Sequence, residues 1–241
     1  MKLPLIVPLS LYIHIPWCVR KCPYCDFNSH QLRSDIPEKE YIQALISDLE
    51  QDLPLVWGRS VESVFIGGGT PSLFSADALD ELMSALRARL PLKHNAEINM
   101  EANPGTVEQD KFSAFRELGI NRLSLGVQSF SDQQLKILGR IHDATEAQRA
   151  IETAQKSGFE NINIDLMFAL PEQSVNGAAR DVKTALAADV THISYYQLTL
   201  EPNTAFFNQP PPLPGDDLVA EIQQQGHDLL RQQGYLQYEV S

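Results

Sequence analysis

The 241-residue chain is 43% apolar and 21% charged, ordinary figures for a chain that buries a sizeable core as one large domain or two small ones. Its 31 acidic residues against 19 basic ones give a formal net charge of −12, which argues against nucleic acid or an anionic membrane held by broad electrostatics. No run reaches the apolar length of a membrane span and Met1 to Pro8 lacks the ordered regions of a signal peptide, so a cytoplasmic location is expected.

Strand-like and helix-like patterns alternate from end to end, with no Gly/Ser linker or low-complexity tract between them. Leu9 to Ile15 alternates as a strand and leads into a cysteine-bearing loop. Pro37 to Leu53 has helical spacing through Tyr41, Ile42, Leu45, Ile46 and Leu49. Val61 to Ile66 is a strand ending in Gly67-Gly-Gly-Thr-Pro71, and Ser75 to Leu90 is a helix with Ser75 as its N-cap.

Ala96 to Glu101 is a third strand, followed by a helix from Val107 to Leu118 that stops at Gly119. Asn121 to Gln128 is a fourth, followed by helical sequence at Asp132 to Leu138 and at Thr145 to Ser157. Asn161 to Phe168 is a fifth, followed by a helix over Ser174 to Ala188. His192 to Thr199 is a sixth. Pro202 to Pro214 reads as a loop, Asp216 to Gln233 as a last helix, and Gln237 to Ser241 as the start of a further strand.

Six successive β-then-α units predict an α/β fold with a parallel sheet and right-handed crossovers. A barrel and an open doubly wound sheet both fit. The barrel is favoured because Cys18, Gly67 to Thr70, Glu101, Gln128, Asp165 and Gln197 fall at or just past the C-terminal ends of the strands, where barrels build their sites. An open sheet would concentrate a ligand at one topological switch point instead.

The three cysteines, Cys18, Cys22 and Cys25, are the only ones and form a C-x3-C-x2-C pattern in Tyr12-Ile-His-Ile-Pro-Trp-Cys18-Val-Arg-Lys-Cys22-Pro-Tyr-Cys25. An odd number cannot all pair in disulfides, and a reducing compartment suits thiolates kept for metal. A cubane iron–sulfur cluster held by three thiolates would leave one iron open for chemistry. A Cys3His zinc site closed by His14 or His30 is the rival.

This loop resembles that of radical S-adenosylmethionine (SAM) proteins, and more narrowly the oxygen-independent coproporphyrinogen III oxidase-like family and its HemW-like haem-chaperone branch. Gly67 to Pro71, Glu101, Gly126-Val-Gln-Ser-Phe130, Arg140 and Asn163-Ile-Asp-Leu-Met167 extend the likeness over nearly the whole chain. The resemblance implies a partial (β/α)6 TIM-like barrel over roughly residues 9–200, then the Pro-rich loop and last helix at 202–234. Together these form one radical SAM core domain over 1–241 that lacks the C-terminal domain of the group.

It further implies a [4Fe-4S] cluster on Cys18, Cys22 and Cys25, with SAM chelating the fourth iron and cleaved on reduction to a 5′-deoxyadenosyl radical. Gly68, Gly69 and Thr70 are expected at the methionine amino end of SAM, Glu101, Gln128 and Asp165 at its ribose and polar ends, and Arg140 at its carboxylate. Tyr12 is expected near the cluster and SAM, and Tyr24 and Gln197 on the nucleotide side. Met167 is either an adenine neighbour or a core methionine. No residue is assigned as catalytic.

The branch separates from true coproporphyrinogen dehydrogenases on two features. Asp26-Phe27 stands where those enzymes continue to a fourth cysteine, and only eleven residues precede Tyr12. The expected function is therefore haem binding and transfer to acceptors such as respiratory enzymes, and the alternative is SAM-radical decarboxylation in porphyrin biosynthesis. Haem is expected in the full-length protein, because the branch's His-Asn-x-x-Tyr motif lies past residue 241. An electron donor for the cluster, a homodimer and transient membrane association through acceptors complete the expected partners.

Overall fold

The computed structural model describes residues 7–106 and 109–240. In chain order the elements are β1 (Leu9–Ile15), β2 (Trp17–Cys18), β3 (His30–Gln31), α1 (Glu38–Val56), β4 (Val61–Gly68), α2 (Ala76–Arg89), β5 (Leu92–Ala102), α3 (Gln109–Glu117) and β6 (Arg122–Gln128). They continue with α4 (Asp132–Ile137), α5 (Ala144–Lys156), β7 (Asn161–Phe168), α6 (Val175–Ala187), β8 (His192–Gln197), α7 (Ala205–Asn208) and α8 (Asp216–Gln232).

The six long strands pair in parallel in the order β1-β4-β5-β6-β7-β8, so neighbours in space follow chain order without reversal. A doubly wound sheet would reverse direction at a switch point. One-way winding with no β8-to-β1 pairing among the described residues makes an open arc, the partial barrel expected from the sequence.

Helix starts follow local chemistry. The Ser75 hydroxyl accepts from the Ala78 amide, Asp143 and Glu146 form a reciprocal capping box, and the Ser174 hydroxyl accepts from the Gly177 amide. Between helices and sheet lies one apolar layer in which Ile15, Ile66, Leu79, Met83, Met100, Leu123, Phe115 and Ile164 are fully buried. Each such side chain contributes about 1.5–3 kcal/mol of burial free energy.

The alternating positions on the other face are polar: Glu97, Asn99 and Glu101 on β5, Ser124 and Gln128 on β6, Asn163 and Asp165 on β7, and Ser194 and Tyr196 on β8. Period-two alternation places each set on one side of its strand. The register sets Glu101 beside Ser124, Ser124 beside Asn163, and Asp165 beside Ser194. A closed barrel normally fills its interior with branched apolar layers. This inner face is built to be wet or liganded.

The described elements differ from the expected ones in a few details. α1 runs on to Val56 with Pro54 inside it. The expected loop at Pro202 to Pro214 contains α7, because Thr204 caps a helical turn by accepting from the Phe207 amide. Gln237 to Val240 form no strand, and Ser241 lies outside the described residues. The third inter-strand helix is described from Gln109, with Val107 and Glu108 outside the described residues.

Candidate functional site

The cysteine loop is fixed at both ends by backbone. β2 and β3 pair in parallel across it, the His30 amide donates to Pro16 O at 2.6 Å, and the Leu32 amide donates to Cys18 O at 2.8 Å. Inside the loop the Cys25 amide donates to Cys22 O at 3.2 Å, and the Lys21 ammonium donates to Phe27 O and Ser29 O. The three thiols are free and half-buried. Burial pushes the Cys25 thiol above its usual pKa, opposed by a backbone hydrogen bond at Phe27.

His14 joins this loop to the sheet. Asn28 O can only accept, so His14 Nε2 donates to it (2.7 Å) and Nδ1 is left to accept from the Tyr12 hydroxyl (2.8 Å). With both ring nitrogens engaged, His14 is not available as a fourth zinc ligand, and His30 is exposed on β3. Among the described residues no three His, Cys, Asp or Glu groups converge on a single ion. A cluster asks something else of thiolates, one for each of three irons.

The glycine run lies against the start of that loop. The Gly69 amide donates to Ile15 O and the Thr70 amide to Trp17 O, both at 2.7 Å. A Cβ on Gly69 would stand 2.5 Å from Trp17 O and 2.9 Å from Ile15 O, both backbone atoms. Gly68 has φ 113 and sits over the His14 ring. The glycines thus permit close chain-to-chain approach.

Glu101 joins the run to the polar face. Its Oε2 accepts from the Gly68 amide at 2.9 Å. Burial pushes its pKa up to about 7, with the Gly68 hydrogen bond opposing and Asp165 reinforcing the rise. Asp165 rises to about 6 for the same first reason, against hydrogen bonds from Asn163 and Ser124. Two carboxyls whose pKa values are raised toward neutral pH on one concave face suit a cationic ligand, which would favour their ionised forms.

Arg140 closes the mouth from the segment after α4. Its Nη2 donates to Gly126 O at 2.6 Å, Nη1 lies 3.5 Å from Cys22 Sγ, and its buried Nε has no partner among the described residues. Asn99 Oδ1 is likewise buried and unpartnered. Buried polar atoms without partners are uncommon. Gln128 ends β6 at φ 70 and accepts from the Tyr196 hydroxyl at 2.5 Å.

The structure therefore brings Cys22, Arg140, Tyr24 and Gln128 into one neighbourhood and Gly68, Glu101 and Asp165 into an adjoining one. Tyr24 lies near both Arg140 and Cys22, and burial drives its phenol well above the usual range. Gln197 is exposed at the end of β8 and its side chain makes no hydrogen bond among the described residues. Met167 is buried with Leu138, Leu170 and Leu198, in a cluster against which Tyr24 and Tyr196 pack. The sequence reading missed Ser124, Asn163, Ser194 and Tyr196, although their alternation with apolar strand residues was a usable signal.

The family model of the radical SAM superfamily matches residues 12–184. The chain is 55% identical to haem chaperone HemW of Escherichia coli (strain K12), over 100% of this chain and 63% of that protein. It is 38% identical to haem chaperone HemW of Bacillus subtilis (strain 168), over 96% of this chain and 62% of that protein. It thus spans less than two thirds of the length of these curated relatives. Coproporphyrinogen III oxidase (HemN) from Escherichia coli, described as a radical SAM enzyme, superposes with a TM-score of 0.86 at 31% identity, covering 95% of this chain and 54% of that one. On the family match, which takes in the end of β1, the cysteine loop and all of β4 to β7, this chain belongs to the radical SAM superfamily.

Proposed function

We propose that this chain is the radical SAM core of a haem chaperone, which binds haem and passes it to acceptor proteins. The observation that carries the reading is the 55% identity to haem chaperone HemW over the whole chain, against 31% to the coproporphyrinogen oxidase. The presence of only three cysteines, with Asp26-Phe27 after Cys25, supports the same side.

Cys18, Cys22 and Cys25 would hold a [4Fe-4S] cluster. The residues present fit such a group: three half-buried thiols on a loop pinned by backbone, with the guanidinium of Arg140 beside Cys22 to offset thiolate charge. When bound, cluster and SAM supply reductive cleavage of a sulfonium, chemistry that belongs to the cofactors. The protein's part is binding and orientation. Gly68, Gly69 and Thr70 offer backbone at the amino end of SAM, and Arg140 offers its guanidinium to the carboxylate.

Glu101 and Asp165 would face the cation and the ribose hydroxyls, with Gln128 as a further polar contact. Tyr12, Tyr24 and Gln197 would line the rim. An external electron donor would approach the exposed outer side of the loop, where Val19 and Phe27 are exposed. No helix among the described residues is long and apolar enough to cross a membrane.

The test is haem titration of the full-length protein, transfer to a haem-free acceptor, and incubation with coproporphyrinogen, SAM and reductant. Retained and transferable haem with no decarboxylated product is the expected result. Turnover of coproporphyrinogen would replace this reading with the dehydrogenase.

A further inference from the structure

Gln128 occupies the left-handed backbone region, φ 70, which a residue with a long side chain rarely adopts. Such a conformation persists only where the surroundings over-determine it, and it clusters at ligand-binding positions. The chain around Gln128 is clamped from several elements. Arg140 Nη2 donates to Gly126 O, and His142 Nε2 donates to Val127 O at 3.1 Å. From α6, on the helical side of the sheet, Asp181 Oδ2 accepts from the Ser129 hydroxyl at 2.7 Å and Oδ1 accepts from the Phe130 amide at 2.8 Å.

Asp181 is 4% exposed and has no ion-pair partner among the described residues. Burying a carboxylate there is unfavourable unless its hydrogen bonds are needed, and an apolar residue would serve packing better. Both its oxygens go to the two residues directly after Gln128. On the far side, the Tyr196 hydroxyl donates to Gln128 Oε1, which fixes the amide plane and leaves its nitrogen without a partner among the described residues.

We propose that Asp181 is a positioning residue for SAM: by tying down Ser129 and Phe130 it holds Gln128 in its left-handed conformation, with the amide nitrogen presented to the ligand. Asp181 touches neither ligand nor cluster and acts through Gln128. The inference rests on the assignment of Gln128 to the SAM site.

The test is equilibrium SAM binding to iron–sulfide-reconstituted protein carrying Asp181→Asn, Gln128→Gly or both. Glycine accepts φ 70 without strain and deletes the amide. Each single change is expected to weaken SAM binding about tenfold, the loss of one good hydrogen bond. Because Asp181 works through Gln128, the double variant binds no more weakly than Gln128→Gly alone. Iron content is expected to stay at the wild-type level, and Phe130 amide exchange to accelerate in Asp181→Asn.

Unchanged SAM affinity in Asp181→Asn, or losses that multiply in the double variant, overturns the proposal while the SAM site stands. Wild-type affinity in Gln128→Gly overturns the assignment of Gln128 and the proposal with it. If Asp181→Asn does not fold, Ser129→Ala removes one of the two tethers, and about a threefold loss that vanishes in the Gln128→Gly background is expected.

Discussion

The two sides of the curved sheet are held by different forces. On the β1–β4 side the cysteine loop and the glycine run meet backbone to backbone, through Gly69 to Ile15 and Thr70 to Trp17. Inner-face side chains there are open, with Tyr12 57% and Phe65 39% exposed. On the β6–β8 side the inner face is closed by side chains: Asn163 Nδ2 donates to Ser124 Oγ and to Asp165 Oδ1, both at 2.8 Å, and the Ser194 hydroxyl donates to Asn163 Oδ1 at 3.2 Å. The first side is sensitive to added atoms and the second to lost partners.

The sharpest break of that contrast is Gly69→Ala. Its Cβ meets backbone that cannot turn aside, so we predict a destabilisation of about 3 kcal/mol or more and loss of iron incorporation. Normal iron loading in a stable Gly69→Ala protein would show that the glycine run is not needed to seat the loop. Next in size is Asn163→Leu, which strands Ser124, Ser194 and Asp165 and is expected to lower stability by about 2 kcal/mol while the cysteine loop still loads iron. Chemical denaturation of both variants beside metal analysis would separate the two sides, and equal iron loss in both would merge them.

Charge sharpens the comparison further. Glu101 bridges the two sides, and its pKa rises from 4.5 to about 7. A raised carboxyl pKa means the folded state binds the extra proton, so the ligand-free protein loses stability as pH climbs from about 4.5 to 7. Affinity for cationic SAM runs the other way, growing with pH as Glu101 ionises around 7. Glu101→Gln should remove the part of both profiles centred near 7 and leave the part from Asp165 near 6, and a SAM affinity that still climbs around pH 7 in that variant would remove Glu101 from the site. The smallest effect is expected at Gly215→Ala, where a Cβ meets nothing within 4 Å. At that helix N-cap the change costs a few tenths of a kcal/mol and leaves metal content intact.

Much of this was legible before the structure. Strands such as Leu9–Ile15 and Asn161–Phe168 show in their apolar patterning, and the cysteine spacing and Gly67 to Pro71 stand out because few other structures need them. What stayed hidden depends on pairing between distant residues. Nothing local says that Asp181 on α6 will hold Ser129, 52 positions away, or that His14 will bind Asn28 O. α7 was missed because proline-rich flanks outweigh a four-residue turn whose signal is the Thr204 cap alone. Gln197 is expected at the site from its strand-end position and from the family resemblance, and it stands exposed at the end of β8.

The central claim is that three thiolates on a backbone-pinned loop hold an iron–sulfur cluster that SAM completes. Anaerobic reconstitution with iron and sulfide, followed by metal analysis of wild type and Cys22→Ala, tests it most directly. About four irons per chain in the wild type, lost in the variant, is the predicted result. One zinc and no iron, or iron retained without Cys22, would contradict it.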